Sequence, residues 1–258
     1  MEKTMTKEER VLAGLDDWPE GGLVLPDHLD LPESDGTFVK NGQEHPQSIL
    51  LTDAIGPVLE RLYPEGNYFI GQDTGIYWKI PRALDNPIRS AVAPDWYLVP
   101  GRPPLVEGKV RRSYVMWYEI ISPLVAIELA SGDGSEERDR TEITGKFWIY
   151  EQGIRAPFYV IFLVGTGELE VHQLVAGKYQ QMAANEHGHY VIGPLGTALG
   201  PWRGRYQNTE MTWLRWYDEQ GKLLLIGREG MEREQAKVEK LMAQLRALGV
   251  APDVANGG

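Results

Sequence analysis

From Gln47 to Leu62 the apolar residues Ile49, Leu50, Leu51, Ile55, Val58, Leu59 and Leu62 recur at helical spacing, which predicts an amphipathic helix. Pro46 stands at a suitable first helical position, and Gly56-Pro57 predicts a kink midway. Beyond Gly66 the period changes. Tyr68-Phe69-Ile70 and Ile76-Tyr77-Trp78 are short aromatic and β-branched runs on either side of a Gly71–Gly75 turn, hence strands. Further strands are predicted at Ala93–Val99, Tyr114–Glu119, Leu124–Ala130 and Phe158–Val164, the last a nearly continuous apolar run of the buried kind. Glu168–Val175 alternates apolar and polar residues, and a turn at Gly177 leads into Tyr179–Met182, which predicts a hairpin. Ser131–Arg140 is glycine-rich and charged and reads as a loop, while Thr144–Gly153 reads as a short helix ended by its glycine. Tyr190–Tyr217 is mixed and is expected to pack one sheet edge, Asp218–Lys222 is a polar turn, and Arg228–Leu248 is a charged helix.

Three parts follow: an N-terminal arm over residues 1–40, a main domain over 41–222, and a C-terminal charged helix and tail over 223–258. The arm is rich in proline, glycine and acidic groups, with Trp18 and Leu23–Leu25 as its apolar anchors. In the terminal helix Val238, Leu241, Leu245 and Leu248 are spaced three, four and three apart. Such a stripe seeks burial, and a homodimer is the expected outcome; packing on its own domain is the commoner use of such helices.

Composition narrows the chemistry. The chain has no cysteine, which excludes disulfides, thiolate metal sites and a cysteine nucleophile. A net charge of −11 argues against non-specific coating of nucleic acid, though not against an enzyme with a local basic patch. The charged first residues lack the apolar stretch of a signal peptide, and no apolar run reaches membrane-spanning length, so the expectation is a cytoplasmic protein with no membrane association.

One pattern carries chemistry. Glu128 lies inside the apolar run Leu124–Ala130, and Asp95 follows Pro94 at the start of another strand. A carboxylate in a buried strand is costly unless it is paired or binds a cation. Two carboxylates brought together on adjacent strands repel, which raises a pKa or recruits a divalent ion such as Mg²⁺ or Mn²⁺. Lys146, on the short helix after the loop, is the candidate ammonium to orient a metal-bound water. Taken singly, each has a plainer reading: a salt bridge for Glu128 with Arg111, Arg112 or Arg155, a turn former for Asp95, a solvated helix lysine for Lys146. Asp139 reads as a loop cap and Asp73 as a turn residue. His187-Gly188-His189 reads as a loop pair. Lys109, Arg111 and Arg112 are either a phosphate contact or a solvated loop.

The order Pro-Asp, strand Glu, then Lys is the skeleton of the PD-(D/E)XK nucleases. The run from Ala93-Pro94-Asp95 through Ile127-Glu128-Leu129-Ala130-Ser131, Asp139, Lys146-Phe147-Trp148-Ile149-Tyr150 and Gly153 to Tyr159-Val160-Ile161 resembles the Uma-two family of restriction-endonuclease-like proteins. Gly71–Tyr77, Trp216–Gly221 and the helix end Leu245–Val250 resemble its cyanobacterial branch. The resemblance spans most of residues 45–250.

It implies a mixed α/β (α+β) core of the restriction endonuclease type, a central sheet flanked by helices with the active site at one sheet edge, followed by a C-terminal helix. It implies Mg²⁺ or Mn²⁺ held by Asp95, Glu128 and the backbone carbonyl of Leu129, Lys146 beside them, DNA as partner, and metal-assisted phosphodiester hydrolysis. The superfamily's usual lysine position is occupied by Ala130, so Lys146 stands in for it from the following helix, after a longer loop. The displaced lysine, the acidic balance and the heptad stripe also suit an alternative, a nuclease-like scaffold that binds or assembles without cutting.

Overall fold

A computed structural model describes residues 25–31, 42–81 and 90–249. Of the N-terminal arm only Leu25–Leu31 falls within this range, so the expectations for Trp18 and Leu23 lie outside the described residues. The stretch that is described rests on the body: Tyr118 and Trp117 donate hydrogen bonds to the carbonyls of Leu25 and Pro26, and Arg112 to that of Leu29.

The elements in chain order are α1 (Glu44–Leu62), β1 (Tyr68–Gly71), β2 (Ile76–Tyr77), β3 (Ala91–Val92), β4 (Trp96–Pro100), β5 (Leu105–Val106), β6 (Lys109–Val110), β7 (Tyr114–Val115), α2 (Met116–Glu119), β8 (Val125–Ala130), α3 (Lys146–Trp148), β9 (Phe158–Leu163), β10 (Leu169–Val175), β11 (Lys178–Gln181), β12 (Tyr190–Ile192), β13 (Thr197–Tyr206), β14 (Thr209–Asp218) and α4 (Gly227–Ala247). The central sheet has the order β1-β4-β8-β9-β10-β11. It is mixed: β8 and β9 run parallel, and the other neighbours antiparallel. This is the architecture the family resemblance implies, a mixed central sheet with helices and a C-terminal helix, consistent with a restriction endonuclease-like fold.

Alternation along β8 divides the sheet into two faces. Val125, Ile127 and Leu129 join a core with Leu50, Leu51, Ile55 and Leu59 of α1 and with Trp213, Leu214 and Trp216 of β14. Ala126 and Ala130 face a second core built from Phe147, Tyr150, Ile154, Tyr159 and Tyr179. Glu128 shares the face of Ala126 and Ala130, so its carboxylate enters an aromatic interior.

Several local expectations change. Helix α1 runs unbroken through Pro57. Asp95 directly precedes β4 instead of lying within a strand. The Tyr114–Glu119 run is two strand residues followed by one helical turn, which ends at Ile120 in the left-handed region. The short helix starts at Lys146 and widens into a π-helix over Ile149–Ile154. Gly153 sits inside it because a Cβ there would come within 2.6 Å of the Trp78 ring, and Arg155 provides the left-handed stop. The β10–β11 hairpin forms as expected, its Ala176-Gly177 turn having positive φ at both residues.

The Tyr190–Tyr217 stretch, expected to pack one sheet edge, instead packs with α1 on one face of the main sheet. It forms a separate antiparallel sheet, β12-β13-β14, with ten paired positions between β13 and β14. Gln47 of α1 fastens it. Its side chain donates to the carbonyl of Leu214 at 2.8 Å and accepts from the Leu214 N–H at 2.9 Å, so a buried amide serves as the partner of an edge strand. Among the described residues helix α4 is anchored at its start. Glu229 accepts from the Ile226 N–H and from the fully buried Arg215 guanidinium, which also donates to the carbonyl of Leu224. None of the residues of α4 is buried; Val238 and Leu241 are 55% and 58% exposed and Leu248 is 78% exposed. Among the described residues the stripe is therefore left largely uncovered. No helix among the described residues is long and apolar enough to cross a membrane.

Replacing Gln47 by alanine leaves the Leu214 N–H and C=O buried without their partner, and the expected loss is about 2–4 kcal/mol for the two groups. Urea unfolding of Gln47→Ala beside the parent protein measures it.

Candidate functional site

The candidate site lies where β4 begins beside the C-terminal half of β8. These are interior strands, so the site is at an end of the sheet and not at its edge, because the Asp95-bearing segment enters between β1 and β8. Register brings the two acids together: Trp96 pairs with Ile127, so the residue before β4 meets the residues after Ile127. Asp95 Oδ2 accepts a hydrogen bond from the Leu129 N–H at 2.6 Å. Its own carbonyl accepts from Ser48 Oγ of α1 at 3.1 Å. On the β9 side Val164 donates to the carbonyl of Ala130. Residues alternate in the direction their backbone groups face, so Leu129 turns its carbonyl toward the margin occupied by Asp95.

Glu128 is 2% exposed. Lys146 Nζ donates to its Oε2 at 3.0 Å, and Tyr150 OH to its Oε1 at 2.7 Å. Both donors come from one helix at i and i+4, and the helix is seated by Phe147 in the aromatic core. Its start is fixed by the preceding loop. Asp139 Oδ1 accepts from Thr141 and the Asp139 carbonyl accepts from the Phe147 N–H. At Gly145 a Cβ would lie 2.4 Å from that same carbonyl, so only glycine permits this closure. Asp139 is thus a loop organiser, and it does not contribute its carboxylate to the site.

Arg111 and Arg112, considered as partners of Glu128, lie elsewhere, and the Arg155 guanidinium lies beside Gly177. Arg111 is buried against Glu119 and over the Phe69 and Tyr114 rings, and Arg112 holds the segment around Leu29. Of the basic group Lys109, Arg111 and Arg112, two members are therefore structural. His189 stacks on Tyr217, and Asp73 occupies a positive-φ turn position.

Three carboxylates at the site were not expected from the sequence. Glu44, in the first turn of α1 and one turn before Ser48, is buried and its charge acts on Asp95. Glu136 and Glu137 of the Ser131–Arg140 loop reach Lys146 Nζ at 3.3 and 3.5 Å. An acid in a first helical turn is ordinarily explained by the helix dipole, and a charged loop by solvation. No periodicity marks either as inward-facing.

Burial is the largest cause pushing Asp95 up to about 8; the Glu128 charge adds to this, and the Leu129 hydrogen bond opposes it. Burial also raises Glu128, against the pull of Lys146 and Tyr150. Burial disfavours the Lys146 ammonium, but Glu128 and then Glu136 and Glu137 outweigh it, so this lysine stays protonated well above the ordinary range. It is a fixed cation and not a proton acceptor at neutral pH. Hard oxygen donors whose like charges raise one another suit Mg²⁺ or Mn²⁺. Among the described residues no three His, Cys, Asp or Glu side chains form a protein-only cage. An ion bound by Asp95 and Glu128 would complete its shell from backbone carbonyl, with Leu129 the one so oriented, and from water, as Mg²⁺ commonly does.

The mixed central sheet, its helices and the C-terminal helix are consistent with a restriction endonuclease-like fold. The model of the Uma2 family, described as "Putative restriction endonuclease", matches residues 24–204, and the chain belongs to that family. The match includes Asp95, Glu128, Leu129 and Lys146 and stops short of β14 and α4. A search of curated proteins gave no match.

The raised Asp95 pKa fixes a sign. Between the unfolded value near 4 and the folded value of about 8 the folded state holds the extra proton, so this group's contribution to stability falls as pH rises across that window and is constant above it. Asp95→Asn cannot ionise. In the absence of divalent ions it is expected to gain stability relative to the parent between pH 5 and about pH 8, read as the difference in urea midpoints; a difference independent of pH would refute the raised pKa.

Proposed function

We propose that this protein is a metal-dependent endodeoxyribonuclease of the PD-(D/E)XK type. The observation that carries the reading is Glu128, a carboxylate buried in an interior strand beside Asp95 and held by a protonated lysine, in a chain of a restriction endonuclease family. Asp95, Glu128 and the Leu129 carbonyl are the residues to hold Mg²⁺ or Mn²⁺. The ion, when bound, supplies Lewis acidity toward a phosphoryl oxygen and lowers the pKa of a coordinated water.

The protein's own residues supply the rest. Tyr150 and Lys146 fix the rotamer of Glu128 by taking one oxygen each, which orients its remaining lone pairs. Ser48 and the Leu129 N–H fix Asp95. Lys146 brings a permanent positive charge to the place where charge gathers on the phosphoryl oxygens as water attacks phosphorus and the bond to one deoxyribose oxygen breaks. The attacking water gives up one proton to solvent and the departing oxygen takes one from solvent, so the protons balance. No covalent enzyme intermediate is needed.

We also propose that α4 pairs with a second copy of this chain. Its apolar stripe, Met231, Val238, Leu241, Leu245 and Leu248, is exposed, and the residues flanking it are Gly230, Gln235, Lys237, Met242 and Gln244. Glu232, Arg233, Glu239, Lys240 and Arg246 stand on the outer face; Glu234, three residues after Met231 and four before Val238, falls within the seam itself and is paired with Lys237 of the same helix.

Supercoiled plasmid with Mg²⁺ or Mn²⁺ tests the first reading. Cleavage is expected from the parent, none from Asp95→Ala, and a loss of about 10²–10³-fold in Lys146→Ala, the size expected when a charge-stabilising group is removed. Equal nicking by parent and Asp95→Ala would refute the assignment, and metal binding without cleavage would favour the non-cutting scaffold. For the second, sedimentation is expected to give a dimer that Leu241→Glu with Leu245→Glu converts to a folded monomer; a monomeric parent at micromolar concentration would refute it.

A further inference from the structure

The Lys146 ammonium has three hydrogens and three carboxylate partners: Glu128 at 3.0 Å, Glu136 at 3.3 Å and Glu137 at 3.5 Å. They differ in kind. The Glu136 side chain is 58% exposed, and an ion pair there is worth little. The Glu137 side chain is 7% exposed. Its backbone is fixed from the sheet, because the buried Tyr159 hydroxyl of β9 donates to the Glu137 carbonyl at 3.0 Å. The neighbouring residue is fixed as well. Arg138 bridges from the Asp133 carbonyl to Glu170 of β10, and its N–H bonds the carbonyl of Gly134. The loop between β8 and α3 is thus built to carry one acid inward onto the lysine. A carboxylate buried at this depth costs several kcal/mol without compensation, so its placement needs a reason.

The reason follows from charge. Glu128 has two demands on it: the ammonium of Lys146 and, on the reading above, a divalent cation. The two are like charges. A cation drawing on Glu128 weakens its hold on Lys146 and repels the ammonium, which would then move toward solvent on its flexible stem. Glu137 is a second buried carboxylate on the same nitrogen, close enough for its charge to act on Glu128.

We propose that Glu137 is the positioning residue for Lys146, keeping the ammonium in the site while Glu128 is engaged by the metal. This rests on the nuclease reading. It assigns the loop inserted between strand glutamate and helix lysine a task that follows from the lysine's displacement: a lysine on the same strand as the glutamate is held by the sheet, whereas one on a following helix needs its own counter-ion.

The test is a double-mutant cycle of parent, Glu137→Gln, Lys146→Met and Glu137→Gln/Lys146→Met, read twice. In plasmid cleavage with Mg²⁺, Glu137→Gln is expected to lower kcat by roughly ten-fold or more with KM for DNA little changed. The double variant is expected to be no slower than Lys146→Met alone, the non-additivity of residues acting as one unit. Losses that multiply, or an unchanged kcat in Glu137→Gln, would overturn the proposal. Urea unfolding of the same four proteins without metal reads the contact independently of activity, and additive effects there would overturn it as well. If the parent does not cleave at all while unfolding shows coupling, the nuclease reading fails, and Glu137 is reduced to a structural counter-ion of Lys146.

Discussion

Everything at the sheet end depends on burying one negative charge. Glu128 occupies a position where β8 otherwise carries Val125, Ala126, Ile127, Leu129 and Ala130, all enclosed. An isolated carboxylate cannot remain ionised there. The fold compensates with a lysine and a tyrosine from the helix that follows, and this requirement sets the position of α3. The requirement propagates outward. For Lys146 to arrive, Gly145 must pass against the Asp139 carbonyl, and the loop must close on itself through Asp139 and Thr141. For Tyr150 to arrive one turn later, Phe147 must lie among Tyr159, Tyr179 and His172.

The second half of the site is held from the opposite face of the sheet. Helix α1 packs its apolar stripe on β8 and β4 and, from the same surface, bonds the Asp95 carbonyl through Ser48 and brings Glu44 near. The same helix uses Gln47 to fasten the β12–β14 sheet. Successive residues thus serve different masters: Gln47 the accessory sheet, Ser48 the site, Leu50 and Leu51 the core. The site is therefore built on rigid strands and two docked helices, the arrangement that holds groups to the tolerance catalysis demands.

Much of the fold was legible in the chain. The α1 stripe, the continuous apolar runs of β8 and β9 and the Ala176-Gly177 hairpin follow from period and turn chemistry, and these are the elements whose environment is uniform. The resemblance to Uma-two proteins supplied the joint assignment of Asp95, Glu128 and Lys146, and the register of β4 on β8 brings Asp95 beside the Glu128–Leu129 segment while α3 brings Lys146 onto Glu128. What was not legible is what depends on loop paths. Glu136 and Glu137 are indistinguishable in sequence, yet one is solvated and the other buried, because Tyr159 from a distant strand fixes the backbone between them and the sheet. Glu44 looks like an ordinary first-turn acid. The β13–β14 hairpin was misjudged because its glycines and tryptophans obscure alternation: at Gly204 a Cβ would collide with the Trp202 ring, and Trp202 in turn covers Arg215. A ten-residue strand that packs aromatic rings over its own glycines lacks a clean period of two.

The central claim is that the paired acids form a divalent-cation site that Lys146 attends without filling. Titration calorimetry with Mn²⁺ near pH 8 tests it most directly, on the parent protein and on Glu128→Gln. The account predicts one binding event per chain in the parent and its loss in the variant, with the variant still folded by circular dichroism. Undiminished Mn²⁺ binding by Glu128→Gln, or no binding by the parent, would contradict it.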